Sequence, residues 1–504
     1  MRRNNMSEGK YSGNPGNRPK KNPYVRADGT PMTQKEREAR RRQLLKARER
    51  RRIARRNRRI FICVALSLIL IITAVAIGSL FRGGDKDMQT NQPPVTEPVS
   101  TDQVQNATEG SVQDPTEEAT EPYVVTTASV GATGDILVHT PVINAAKTSD
   151  GEYDFHENYD HIRDYYSKYD LMIANFEITL GGTEAGQYTG YPIFNCPDTI
   201  IEALQAAGVD MVLTANNHMY DTGYPGLIRT QEKLNEENMP YVGSRLSEAD
   251  PRYIIQEVNG IKIGMVCYTY ETGNNSNGRK TLNGIALKQE AEGLVNSFDY
   301  NDLEGFYTEL EGVLSEMDRA GAETNMVFIH WGNEYQLKPN DYQKTIAQKM
   351  CDMGVDVIVG GHPHVLQPFE HLVSENGHET YCIYSLGNAI SNQRREKISS
   401  APNGHTEDGM VFEIVFEKWS DGVVRIQNID ILPTWVNHEK VNGEWVYTII
   451  PLDVEAASWD GYNVTNLSET YESYNRIMDV VGESLNQVRA DLGLDAVPVS
   501  MTQP

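Results

Sequence analysis

Gly354-Val355-Asp356-Val357-Ile358-Val359-Gly360-Gly361-His362-Pro363-His364 is the stretch whose reading decides the fold. A helix-like run, residues 341–353, precedes its first glycine. An apolar, β-branched run of strand length follows, and it stops at two glycines and two imidazoles that straddle a proline. A run this short, apolar and bounded by glycine reads as a buried strand. The same layout occurs once before: a helix-like run at 198–207, then Gly208-Val209-Asp210, an apolar run, and Asn216-Asn217-His218. His218 and His364 each stand ten residues after their glycine. Four other apolar runs also end in polar groups. Residues 128–133 lead to Gly134-Asp135, 171–174 to Asn175-Phe176-Glu177, 326–329 to His330-Trp331-Gly332, and 383–386 to Gly387-Asn388. Buried strands alternating with helices predict an α/β fold with mixed sheets. In such folds sites form beyond the carboxyl ends of the strands, where these polar residues fall.

The pooled groups are Asp135, His139, Glu177, Asn217, His218, His330, His362 and His364. Imidazoles, carboxylates and an amide oxygen without a thiolate suit Zn, Mn or Fe better than a soft metal. Two such ions about 3.5–4 Å apart activate water and clamp a phosphate oxygen. His218 could stay unligated and protonate a leaving group. Taken singly, each residue has a plainer reading: Asp135 as a turn or helix N-cap, Asn216 and Asn217 as turn residues, each histidine as a hydrogen-bonded loop position. Several strand ends carrying the same ligand chemistry argue for one shared site.

In this order, Gly134-Asp135, Asn175-Phe176-Glu177, Asn216-Asn217-His218, His330-Trp331-Gly332, Gly361-His362-Pro363-His364 and Ser385-Leu386-Gly387-Asn388 resemble the CapA-type capsule synthesis family. That family is linked to poly-γ-glutamate biosynthesis and is similar to calcineurin-like metallophosphoesterases. The resemblance implies a four-layer α/β/β/α sandwich. It implies Asp135 as a ligand of a first metal, Asn217 and His330 as ligands of a second, and His362 and His364 completing the two. His218 would be the transition-state stabiliser or acid. Glu177 joins the ligand set; His139, Asn175, Asn216 and Asn388 are further candidates. Two features depart from the metallophosphoesterase pattern. Three residues, rather than one, separate Asp135 from His139, and Asn175 and Glu177 occupy the place of the bridging aspartate. The expected function is therefore synthesis or export of an anionic capsule polymer, poly-γ-glutamate. One alternative is a metal-dependent hydrolase of the metallophosphoesterase type, acting on a phosphoester or on the polymer. The other is a surface binding module with a relic metal site.

Charge divides the chain. Residues 1–59 hold 21 Lys/Arg against 5 Asp/Glu, whereas the whole chain carries −24. Residues 60–81 are 22 positions without a charge, long enough to span a bilayer as a helix. The arginines before residue 60 predict a single-pass anchor with the N-terminus in the bacterial cytoplasm and the body outside. Other membrane subunits of a capsule synthesis complex are expected partners. A basic arm beside a membrane helix faces the lipid bilayer rather than nucleic acid. Residues 82–123, rich in Thr, Glu and Pro, predict an extended disordered linker. The body is expected at 124–435, followed by an extension, 436–504, with a helix striped by Ile477, Val480, Val481, Leu485, Val488 and Leu492. Arg394, Arg395 and Lys397 are candidate contacts for a polyanion. The 5 cysteines form no CxxC and no dense framework.

Overall fold

The computed structural model describes residues 122–502, apart from 274–277, 402, 442, 455–458 and 463. The expected basic arm, apolar span and nearly all of the linker lie outside the described residues. Among those described, no helix is long and apolar enough to cross a membrane.

The chain first lays down parallel strands β1 (Val124–Ile136), β2 (Leu171–Asn175), β3 (Met211–Leu213) and β4 (Tyr241–Val242), with helices α1 (Thr140–Ala145), α2 (Ile200–Ala206) and α3 (Gly223–Glu236) between them. It then builds a second sheet from β5 (Tyr253–Val258) and β6 (Ile261–Tyr270). A detached hairpin follows, β7 (Thr281–Leu282) and β8 (Ile285–Ala286), and then β9 (Ser297–Phe298). Helix α4 (Leu303–Arg319), β10 (Thr324–His330), α5 (Asp341–Met353), β11 (Val357–Gly361), β12 (Leu366–Val373) and β13 (Glu379–Leu386) complete that sheet. The chain returns to the first sheet with β14 (Asn388–Ile390), β15 (Asp408–Trp419), β16 (Val424–Val441) and β17 (Glu444–Pro451), and ends in α6 (Leu467–Leu492). The result is an eight-stranded sheet ordered β17-β16-β15-β1-β2-β3-β4, with β14 beside β1, and a seven-stranded sheet ordered β12-β13-β11-β10-β6-β5, with β9 beside β6.

Alternation along the strands sorts the core into layers. Val130, Ile173, Met265, Phe328 and Val359 meet in one cluster between the sheets. Met172, Ala174 and Val212 turn the other way, to α1 and α2. Val266, Val327 and Ile358 turn outward to α4 and α5. Helices therefore cover both outer faces of two stacked sheets, the four-layer arrangement expected. Gly208 and Gly354 both follow a helix with positive φ, +96° and +95°, a conformation that costs glycine little. The repeated helix–glycine–strand unit is thus real in space.

Residue 435 is not a domain boundary. Strand β16 runs through it, and the described residues on both sides of it belong to one compact unit. Ile477, Val481, Leu485 and Val488 of α6 belong to the cluster between the sheets, with Phe369 of β12 and Ile429 of β16. Polar latches add to this packing. Arg476 meets the buried Asp408 at 2.7 Å, Arg489 meets Asp430 at 2.8 Å, and Ser484 Oγ accepts from the Phe369 N–H at 3.0 Å. Cys196, Cys267, Cys351 and Cys382 are buried, and no disulfide joins them. Burial pushes the Cys267 thiol up to about 12.

Candidate metal centre

Strand register brings the polar ends together. Pairing of β1 with β2 and β14 sets Asp135 opposite Asn175 and Asn388. Pairing of β10 with β11 sets His330 opposite Gly361. A Cβ on Gly361 would lie 3.2 Å from Asp135 Oδ1 and 3.5 Å from His330 Nδ1, so the glycine leaves room where the two sheets' ends converge. His362 and His364 both have positive φ, +95° and +55°, which side chains with a Cβ seldom adopt. Strain of this kind persists where the surroundings enforce it, and here it aims both rings inward.

Asp135 accepts from Asn175 Nδ2 at 2.7 Å and meets His364 Nδ1 at 3.0 Å. Glu177, fully buried, has Oε1 at 3.3 Å from His330 Nε2 and 3.9 Å from His364 Nε2. His330 Nε2 also lies 2.8 Å from Asn217 Oδ1. Two triads of donor atoms, each within 4.8 Å, emerge: Glu177, His330 and His362, and Asp135, Glu177 and His364. Glu177 is common to both. Both of its oxygens, and Nδ1 of His362, are buried without a hydrogen-bond partner among the described residues. His362 Nε2 is 3.2 Å from the Tyr270 hydroxyl, so Nδ1 is the nitrogen left for another partner.

Electrostatics match this arrangement. Burial, followed by the neighbouring Asp135 carboxylate, pushes Glu177 well above the usual carboxylate range. Burial would raise Asp135 as well, but the His364 hydrogen bond and the nearby imidazoles hold it below its ordinary value. Burial drives His330 down to about 3 and His362 well below the ordinary imidazole range. These rings are neutral, the form that binds a cation. A carboxylate stripped of hydrogen bonds, facing neutral imidazoles, fits a divalent cation better than it fits an empty protein interior.

His218 belongs to neither triad. Its Nδ1 is 2.7 Å from Asp221 Oδ2, and Phe194 meets its ring edge-on at 4.6 Å. His139 stands beside the site: its Nδ1 receives the Asn392 N–H at 3.2 Å, and burial pushes the ring down to about 4. Asn216 Nδ2 donates to the Phe176 carbonyl at 2.9 Å, and Asn388 Nδ2 to the His364 carbonyl at 3.3 Å, so both fasten loops of the site.

The polyanion contacts need correction. Arg394 is buried, with Nη1 on the Val436 carbonyl and Nη2 3.2 Å from Glu407; Arg395 meets Glu407 at 2.9 Å. Both guanidinium groups neutralise an internal carboxylate, because Glu407 is buried and needs them. Lys397 is exposed, with Nζ 2.7 Å from Asn392 Oδ1.

Three residues of the site escaped the sequence reading: Asp221, Tyr270 and Asn283. Asn283 Oδ1 accepts from Asn217 Nδ2 at 2.9 Å. Asp221 lies three residues past His218, near enough in sequence for the two to meet, but the apolar Met219 and Tyr220 stand between them and no polar run marks it. Asn283-Gly284 carried the signature of a hairpin but none of a site.

The family described as "Bacterial capsule synthesis protein PGA_cap" matches residues 129–393. The capsule biosynthesis protein CapA of Bacillus anthracis is 29% identical over 283 residues, covering 55% of this chain and 63% of that protein. The PGA biosynthesis protein CapA of Bacillus subtilis (strain 168) is 31% identical over 233 residues, covering 46% and 53%. The chain thus spans little more than half the length of the relatives it matches. The NAD nucleotidase NadN of Haemophilus influenzae overlaps 73% of this chain and 68% of its own, at 13% identity and a TM-score of 0.36. The matched segment runs from Ser129 in β1 to Gln393, takes in every residue of both donor triads, and exceeds half of the sequence: the chain belongs to the bacterial capsule synthesis protein family PGA_cap.

Proposed function

We propose that this protein serves the synthesis or export of an anionic capsule polymer, poly-γ-glutamate, from the outer side of the bacterial cytoplasmic membrane, using a pocket for two divalent ions. The relatives' names support the polymer. The uncharged run at 60–81 behind a basic arm supports the anchor. The observation that carries the pocket is Glu177, buried, without a hydrogen bond, and common to both triads. One ion would be held by Glu177, His330 and His362 with Asn217 Oδ1, the other by Asp135, Glu177 and His364. Nitrogen and oxygen donors of this kind suit Mn, Fe or Zn. Bound there, such a pair supplies Lewis-acid polarisation of an anionic oxygen.

A second reading, hydrolysis of a phosphoester or of the polymer, is favoured by His218. Asp221 fixes Nδ1 and the ring tautomer, leaving Nε2 to pass a proton to a departing group. Elemental analysis of the full chain tests the pocket. Wild-type protein should carry about two ions, and Glu177→Gln should lose most of both, because neither ion keeps its shared ligand. Undiminished ion content in Glu177→Gln would overturn the reading. Loss of capsule on deletion of the protein, restored by wild-type protein, tests the polymer assignment; a normal capsule removes it.

A further inference from the structure

Asn283 is the first residue of the two-residue turn joining β7 and β8, and its φ of +46° is the left-handed conformation that such turns require. As an exposed Asn-Gly turn it needs no other explanation, yet its side chain reaches two buried groups of the metal centre. Oδ1 accepts from Asn217 Nδ2 at 2.9 Å. Nδ2 lies 3.0 Å from Nδ1 and 3.3 Å from Nε2 of His218. An atom that close to both ring nitrogens cannot lie in the imidazole plane without striking the carbon between them, so the amide rests over the ring face. His218 is then held from three directions: Asp221 at Nδ1, Phe194 edge-on, and Asn283 over the ring.

The bond to Asn217 matters more. A carboxamide has one oxygen end, and only that end can hold a cation. With Asn217 Nδ2 tied to Asn283, Asn217 Oδ1 is turned toward His330 Nε2, 2.8 Å away, on the side where Glu177 stands. The hairpin is itself anchored to the loop it serves. Leu282 packs with Met219 and Tyr220, the Gly284 N–H donates to Thr272 Oγ1 at 2.9 Å, and the Lys288 N–H donates to the Tyr220 hydroxyl at 3.1 Å.

We infer that Asn283 is a positioning residue that sets the amide orientation of Asn217 for an ion while holding His218 in place beside it. The inference rests on the two-ion reading of the pocket. Calorimetric titration of the full chain with Mn²⁺ tests it, using wild type, Asn283→Gly and Asn283→Asp. Glycine keeps the turn and removes the carboxamide; aspartate keeps an oxygen for Asn217. Asn283→Gly should weaken Mn²⁺ binding at one site about tenfold, the size expected for loss of a partner behind a ligand, with no change in the melting temperature of the ion-free protein. Asn283→Asp should bind at least as tightly as wild type. Wild-type affinity in Asn283→Gly, or Asn283→Asp as weak as Asn283→Gly, overturns the inference alone. Absence of Mn²⁺ binding by wild type overturns the two-ion reading, and this inference with it.

Discussion

Glu177 and His218 separate two kinds of chemistry within one pocket. Glu177 faces neutral rings with both oxygens bare, whereas His218 is already tied through one nitrogen to Asp221. Replacing His218 by alanine should therefore leave ion content at the wild-type level. Any phosphodiester hydrolysis should fall by about 10²–10⁴-fold, the usual contribution of a positioned proton donor. Elemental analysis beside a nitrophenyl phosphodiester assay reads both, and loss of ions in that variant would place His218 among the ligands. Most of the centre was legible in the sequence because its groups end strands in glycine-rich settings. In the sequence Glu177 departs from the expected bridging aspartate, yet in the structure it stands where the two triads meet. Its extra methylene lets a residue two positions past β2 reach that corner. Tyr270 and Asn283 were not legible, because nothing in a local pattern says which distant ring a hydroxyl or an amide will touch.

The elements themselves were more legible than their assembly. The sequence pattern predicts a helix at 341–353, where the structure has α5, and the apolar run at 171–174 lies within β2. The stripe on α6 was also visible, but a stripe says that a helix packs, not on what. Only the structure shows it closing the gap between β12 and β16, which makes 436–504 part of the body. The β16–β17 hairpin carries a testable feature of the same segment. His438 stacks between Trp445 and Tyr447, with ring centroids at 4.1 and 4.5 Å. Burial, aided by the positive charges of Arg394 and Lys397, pushes its pKa down to about 4. An unfolded chain takes up that proton near 6.5, so between those values the unfolded state binds more protons and stability falls as pH falls. His438→Phe keeps an aromatic ring in the stack and removes this dependence. Its melting temperature should drop less than that of wild type between pH 7 and pH 4.5; equal drops would mean that folding does not lower the proton affinity of His438.

For the molecule as a whole, the division of charge matters most. The arm of residues 1–59 is strongly basic inside a chain of net −24. With the arm in the cytoplasm, protease added to intact protoplasts should digest the body and leave a short basic stub; a protected body would reverse the topology. An acidic body also repels a polyanion that comes within about 8 Å of it at physiological salt, and Arg394 and Arg395 are already committed to Glu407. Bound cations would then be the means of drawing such a polymer to the pocket. The way β1 is paired has a consequence for how the protein is made. Its neighbours include β14 and β15, and Asp135 meets His364 across 229 residues of chain. A nascent chain therefore holds half of the pocket long before the other half exists, and α6 closes the inter-sheet core later still. Contacts this distant make folding slow. If the body is carried across the membrane as proposed, ligand residues would remain unassembled until after that passage, and the ion that finally enters would be chosen by the compartment where folding finishes rather than the one where synthesis began.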